Sequence, residues 1–246
     1  MKNHKTTMKY LIRKSDILLE ILDARFPKES RIYYLEDKIK YLKKTLILVI
    51  NKADLVPEDF VEMVKQFFQD KYPAVYISCK TRKGLRVLRS IIKDYSPNKD
   101  KIFIGVFGYP NTGKSSIINA LVGRHRAGVA PVPGFTRGIQ LVKLSTKHYL
   151  IDSPGLVNPK DFETMMLVGA IRPEKLETPE RAVKILLDKI PKRFIKNTYG
   201  IEFKDVNDFL DKLSKKLNYK QQDAQRRAAI KVLYDWIQGK IRAYWF

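Results

Sequence analysis

The sequence predicts an α/β fold: a mainly parallel sheet with helices on both faces, followed by a small helical domain. Short apolar runs with β-forming residues alternate with helix-periodic segments over the first part of the chain, as expected of parallel strands joined by helices. Beyond residue 157 the strand signal ends, and prolines separate short helical segments before two longer ones. Residues 1–157 and 158–246 are therefore predicted to be separate domains.

The order of the elements follows from the hydrophobic periodicity. Runs of apolar residues bounded by polar turns predict strands, and apolar residues at a spacing of three and four predict helices. Strands are predicted at residues 15–23, 45–50, 74–77, 101–107 and 149–151. Helices are predicted at residues 31–43, 58–68, 85–92, 115–121, 203–217 and 220–237.

A phosphate-binding loop is predicted at residues 108–115, which read GYPNTGKS and match the pattern G-x-x-x-x-G-K-[ST]. Lys114 is expected to reach the β- and γ-phosphates, and the Ser115 hydroxyl to ligate Mg²⁺. A strand precedes the loop and a helix follows it, which favours an anion site over a chance match in a glycine turn. The other residues expected to contact the nucleotide here are Asn111, Thr112, Gly113 and Ser116.

Two further segments are expected to contact the γ-phosphate and its metal ion. Asp152 ends an apolar run and precedes Ser-Pro-Gly, so its carboxylate is placed to hold Mg²⁺ through water, while the Gly155 N–H meets the γ-phosphate. Thr136 offers a second hydroxyl ligand to Mg²⁺. We expect Lys114, Thr136 and Gly155 to be the catalytic residues, and the metal ligands to be Ser115, Thr136 and Asp152.

A base-reading segment, Asn51-Lys52-Ala53-Asp54, follows the apolar run 45–50, at a strand end where open α/β sheets bind ligands. The Asp54 carboxylate can accept hydrogen bonds from N1–H and the N2 amine of guanine, a pair of donors that adenine lacks. The Lys52 stem can lie over the base. The alternative is a polar turn with Asp54 as a helix cap. A second loop offers backbone N–H groups to guanine O6 and consists of Ser78, Cys79 and Lys80.

The base-reading segment lies upstream of the phosphate loop, whereas ordinary guanine-nucleotide proteins have it downstream. In this order of motifs the sequence resembles the circularly permuted GTPases of the YlqF/RbgA and YawG group, which are ribosome-assembly factors. Residues 22–27, LDARFP, resemble the D-A-R-x-P signature of that family, and residues 223–240 resemble its closing helix. The resemblance implies a GTPase domain over 1–157, an RNA-contacting helical domain over 158–246, and binding to rRNA in a pre-ribosomal particle.

The resemblance also bears on how GTP is hydrolysed. Leu156 stands where Ras-like proteins carry the glutamine that orients water, and a leucine has no hydrogen-bonding group for that task. Asn111 is similar to an asparagine that coordinates K⁺ in related GTPases, although it can also simply shape the loop. His4 does not match the position of the histidine that bacterial members carry. We expect slow intrinsic hydrolysis that K⁺ and ribosomal particles stimulate.

The charge of the chain indicates a polyanionic partner. Lys and Arg number 48 against 26 acidic residues, which gives a net charge of +22. Such an excess attracts nucleic acid through counterion release. A lysine-rich surface that serves solubility is the alternative explanation. An anionic membrane is a weaker candidate, because the sequence shows no basic helix with a wide apolar face.

Other features of the sequence limit the functional classes. No apolar run is long enough to cross a bilayer, and the first residues lack the apolar core of a signal peptide. Cys79 is the single cysteine, which excludes an internal disulfide and fits a reducing cytosol. We therefore expect a cytoplasmic monomer, and a GTPase of membrane traffic is disfavoured. An RNA-binding scaffold that uses GTP as a structural ligand, with incidental hydrolysis, remains the alternative to a GTPase switch.

Overall fold

The computed structural model describes residues 2–123, 129–130, 140–152, 162–220 and 222–246. The chain divides into two compact units, one comprising Met1–Leu156 with Phe246 and the other Val157–Trp245. Thr136, Gly155 and Leu156 lie outside the described residues, so the roles expected of them remain predictions.

The first unit is built on a mainly parallel sheet, as the sequence predicts. Its described strands are β1 (Ile17–Asp23), β2 (Thr45–Asn51), β3 (Ala74–Tyr76), β4 (Ile102–Phe107), β5 (Val129–Ala130), β6 (Gln140–Lys143) and β7 (His148–Asp152). They lie in the order β3-β2-β1-β4-β7-β6-β5. The first five strands in this order, β3, β2, β1, β4 and β7, are parallel to one another. The last two, β6 and β5, are antiparallel to their neighbours. This antiparallel edge was not predicted.

The first unit has one helix before β1 and helices between its successive strands up to β5. They are α1 (Lys2–Lys14), α2 (Tyr33–Tyr41), α3 (Glu58–Gln69), α4 (Leu85–Asp94) and α5 (Lys114–Val122). The predicted helix at 31–43 ends earlier, because Lys43 takes a left-handed conformation with φ of 52° and its N–H donates to the Lys40 carbonyl. Every residue of β1 is buried, as expected of a parallel strand covered on both faces.

One polar side chain, Glu20, lies within the buried strand β1. It is fully buried, and its Oε1 accepts the Ile32 N–H at 2.6 Å. Burial raises the pKa of Glu20 well above its ordinary value, and the negative charge of Glu36 raises the pKa further, whereas the Ile32 N–H lowers it. The folded protein therefore holds a proton at Glu20 that the unfolded chain releases.

Because the folded protein holds this proton, its stability against unfolding should depend on pH. A raised carboxyl pKa means that the folded state binds more protons, so stability is greatest below the unfolded pKa near 4.5 and falls as the pH rises toward the folded pKa. Glu20→Gln mimics the protonated carboxyl and should raise the melting temperature at pH 8 while changing it little at pH 4.5. Calorimetry at both pH values measures this. The exposed substitution Asp100→Asn is the control, and an equal effect of both substitutions at pH 8 would refute the assignment.

The second unit is helical in its described residues. Its helices are α6 (Phe162–Leu167), α7 (Pro179–Lys189), α8 (Lys192–Tyr199), α9 (Val206–Lys216) and α10 (Ala224–Ile237). Trp236 of α10 is fully buried, and its indole N–H donates to the Leu167 carbonyl at 2.8 Å. The predicted helix at 203–217 begins later, because the Asp205 side chain caps the first turn by accepting the Asp208 N–H. Of the helices that the structure describes, none combines the length and apolar character needed to cross a membrane.

Candidate functional site

The predicted nucleotide-binding residues converge at the carboxyl edge of the sheet. Parallel pairing places Asp23 at the end of β1 beside Asn51 at the end of β2. On the other side of β1, Asp152 at the end of β7 lies beside Val106 of β4, two residues before the phosphate loop. Three segments that are distant in sequence therefore end at one edge, where open α/β sheets bind ligands.

The phosphate loop has the backbone geometry that its glycines permit. Gly113 has φ of 103°, in the range that favours glycine, and immediately precedes α5. A Cβ on Gly108 would lie 2.6 Å from the Ile21 carbonyl oxygen, so a larger residue does not fit there. The loop therefore presents its backbone at the N-terminus of a helix, which is a favourable position for phosphate.

Lys114 lies within this loop and is buried. Its Nζ donates to the Tyr109 carbonyl at 2.7 Å, so the side chain is folded back over the loop. Burial lowers the pKa of Lys114 to about 8, and the negative charge of Asp152 acts in the opposite direction. A buried ammonium group beside backbone N–H groups is suited to bind a phosphate.

Asn51 connects the base-reading segment directly to the phosphate loop. Its Nδ2 donates to the Thr112 carbonyl at 2.8 Å across 61 residues of sequence. A Cβ on Gly113 would lie 2.1 Å from that same Nδ2, so the two segments are in close contact. The Asn51 amide nitrogen therefore joins the two halves of the site, and contact of Asn51 with the base remains a prediction.

A charged network orients Lys52. The Lys52 Nζ donates to Asp23 Oδ2 at 2.7 Å, and Arg25 binds both carboxylate oxygens of Asp23 at 3.0 and 2.9 Å. Burial by itself would raise the pKa of Asp23, but the charges of Arg25 and Lys52 outweigh it and lower the pKa well below its ordinary value. Asp23 and Arg25 belong to the LDARFP segment. Their contact with Lys52 was missed in the sequence analysis, because only strand pairing brings them together.

The base-reading carboxylate is positioned by the second loop. Ser78 Oγ donates to Asp54 Oδ1 at 2.6 Å, and the Ser78 N–H donates to the Lys83 carbonyl. Ser78 thus supports Asp54 with its side chain, and contact of Cys79 and Lys80 with guanine O6 remains a prediction. Burial and the charge of Asp54 raise the pKa of Cys79 to about 11, which makes it a packing residue and not a reactive thiol.

The residues available for a metal ion suit magnesium. Ser115 lies in the first turn of α5, and Asp152 is near enough for its charge to act on the Lys114 ammonium. A hydroxyl and a carboxylate are hard oxygen ligands of the kind that Mg²⁺ prefers. Asn111 has φ of 59°, a conformation that asparagine tolerates better than most residues, so a loop-shaping role is supported. Coordination of K⁺ by Asn111 remains a prediction.

The basic residues of α10 are partly structural. Arg226 donates to the carbonyls of Leu176 and Glu177, each at 2.8 Å, and so fastens α10 to the turn before α7. The Arg227 guanidinium lies 4.3 Å from the centre of the Tyr219 ring. These contacts give both arginines structural partners within the second unit.

Two family models match the chain. The model described as "50S ribosome-binding GTPase" matches residues 103–225, and the model described as "RsgA GTPase" matches residues 37–161. The structure is also similar to the GDP-bound structure of TM YlqF, with a TM-score of 0.67, 23% sequence identity and coverage of 95% of this chain and 94% of that chain. At this identity the similarity establishes the fold.

Curated relatives extend the comparison. A GTP-binding protein of Methanocaldococcus jannaschii is 37% identical over 99% of this chain and 68% of its own length. Nucleolar GTP-binding protein 2 of Neurospora crassa is 37% identical over 96% of this chain, and nuclear/nucleolar GTPase 2 of Oryza sativa is 36% identical over 94%. The chain spans only 40% and 46% of those two proteins.

Proposed function

Because the chain belongs to the circularly permuted family of GTP-binding proteins that these models and relatives represent, we propose that it is a Mg²⁺-dependent GTPase acting in ribosomal subunit assembly. The observation that carries the proposal is the hydrogen bond from Asn51 to the Thr112 carbonyl. It joins the segment that reads the base to the loop that binds phosphates. One nucleotide can then contact both segments.

Each half of the site has its own task in this proposal. Asp54, held by Ser78, selects guanine, and Lys52, held by Asp23, lies along the base. Lys114 stabilises the charge on the transferred phosphoryl group, because a buried ammonium acts strongly where water is excluded. The roles of Thr136 as metal ligand and Gly155 as γ-phosphate contact are part of the proposal.

Ser115 and Asp152 would hold the magnesium ion. A magnesium ion held there would supply positive charge against the charge that develops on the phosphates. K⁺ at Asn111 would add positive charge that an arginine otherwise provides. Since Leu156 replaces a water-orienting glutamine, we expect slow turnover by the protein alone.

The proposed partner is rRNA within a ribosomal subunit or its precursor. The net charge of +22 supports a polyanionic partner, and the matching family model is described as ribosome-binding. A cytoplasmic location and a monomeric state complete the proposal.

An RNA-binding scaffold with GTP as a structural ligand is the second candidate, favoured by Leu156. Phosphate release should be measured in KCl and in NaCl, with and without purified ribosomal subunits. The GTPase proposal expects turnover to rise with subunits. If subunits bind while turnover stays at its basal value, the scaffold is supported and the switch is refuted.

A further inference from the structure

A pocket of about 650 Å³ lies within the second unit, whereas the residues of the candidate nucleotide site belong to the first unit. It is bordered by α8, by the last turns of α10 and by the segment that follows α10. Three cations line it, namely Lys231, Lys240 and Arg242. Its volume falls in the range typical of sites for small molecules.

A single buried carboxylate, Asp235, pairs with the two lysines that line the pocket. It accepts the Tyr199 hydroxyl at 3.0 Å, pairs with Lys231, and lies 3.1 Å from the Lys240 Nζ. One negative charge cannot neutralise two ammonium groups. Arg242 is exposed and has no ion-pair partner among the described residues, so the lining keeps an excess of positive charge.

The backbone after α10 explains how these cations reach the pocket. Gly239 has φ of 75° and turns the chain back, so that the Lys240 N–H donates to the Asp235 carbonyl at 2.8 Å. In the following segment Ile241 is fully buried, whereas Lys240 and Arg242 on either side of it are exposed. This alternation brings the two cations to one side of the segment. Residues 239–242 therefore present two positive charges at the pocket.

Part of the pocket lining is apolar. Phe194 and Leu217 line it, and the Tyr244 ring packs against Phe194 with its centre 5.7 Å away. An aromatic ring beside cations suits a nucleotide, because a base stacks on the ring while a phosphate binds the cations.

We propose that this pocket binds one phosphate-bearing nucleotide unit, with its phosphate at Lys240 and Arg242 and its base against Phe194. The RNA chain of the proposed function is the expected source of that unit, and in this respect the inference rests on the proposed function. A free mononucleotide has the same chemistry and is separated from RNA by the experiment.

The test replaces an exposed cation of the pocket. Arg242→Glu should weaken binding of fluorescein-labelled octauridylate by at least about tenfold, since a hydrogen bond to a charged group contributes about 1.5–3 kcal/mol. The dependence of affinity on salt should become less steep by about one unit. Lys184→Glu makes the same change of charge on an exposed residue of α7 outside the pocket and is the matched control. Fluorescence anisotropy measures both variants.

Further binding measurements distinguish the possible results of this test. Calorimetry with uridine monophosphate, on protein saturated with GDP and Mg²⁺, tests a free nucleotide, and GTP affinity should be the same in wild type and both variants. Equal loss of RNA affinity in Arg242→Glu and Lys184→Glu would overturn the pocket while leaving the GTPase proposal intact. If wild type binds uridine monophosphate but not RNA, the pocket stands and the RNA partner fails. If wild type binds neither the labelled RNA nor uridine monophosphate, both the pocket and the RNA partner are overturned.

Discussion

Lys114→Ala should lower the rate of GTP hydrolysis by at least about 10²–10³-fold, the loss typical when one preorganised donor to the transition state is removed. The ammonium group is buried within the phosphate loop and lies near the Asp152 carboxylate, so no other side chain of the loop can replace its charge. The proposed function also has the lysine pair with phosphates in the ground state, so GTP affinity should fall as well.

Single-turnover phosphate release at saturating GTP separates the two effects, and binding of a fluorescent GTP analogue reports affinity. Lys101→Ala removes an exposed lysine at the start of β4 and should change neither quantity. Retention of wild-type turnover by Lys114→Ala would exclude its proposed role.

Asp54→Asn should exchange the preference for guanine for a preference for xanthine. In the proposed function the carboxylate accepts two donors of guanine, and a site built around such hydrogen bonds commonly discriminates by about 10⁴-fold or more. Xanthine carries a carbonyl where guanine has its amine, so the asparagine amide can donate to it. The hydrogen bond from Ser78 Oγ to Asp54 Oδ1 should persist with the amide oxygen, which keeps the loop in place.

Displacement of a fluorescent guanine nucleotide by GTP and by XTP measures this change. Asp59→Asn makes the same substitution at an exposed position in the first turn of α3 and should leave selectivity unaltered. An unchanged ratio of GTP to XTP affinity in Asp54→Asn would show that Asp54 does not read the base.

The sequence was sufficient for the parallel strands of the sheet and for the segments that are expected to form the site. A parallel strand ends where its apolar run ends, so residues 51 and 108 could be placed at one edge before any contact was known. The side-chain partners within that edge could not be predicted in the same way. Asn51 contacts Thr112 because of the register between strands, and the sequence does not specify that register residue by residue.

Local polar contacts account for the other differences between the structure predicted from the sequence and the observed one. Arg226 lies in the domain for which the family resemblance implied RNA contact, and backbone carbonyls of a preceding turn accept its hydrogen bonds. The helix α9 begins at Val206, three residues after the predicted start, because the Asp205 side chain caps its first turn and capping competes with the apolar periodicity used to place that helix. The antiparallel edge of β5 and β6 follows from pairing between short segments that have weak strand signals.

Base selectivity of the unmodified protein tests the central claim most directly, since the claim is that Asn51–Asp54 and residues 108–115 bind a single guanine nucleotide. The measurement is displacement of bound fluorescent GDP by GTP and by ATP in the presence of Mg²⁺. The account predicts that GTP displaces the probe at concentrations at least about 10²-fold below those required of ATP. Displacement by both nucleotides at equal concentrations would contradict it.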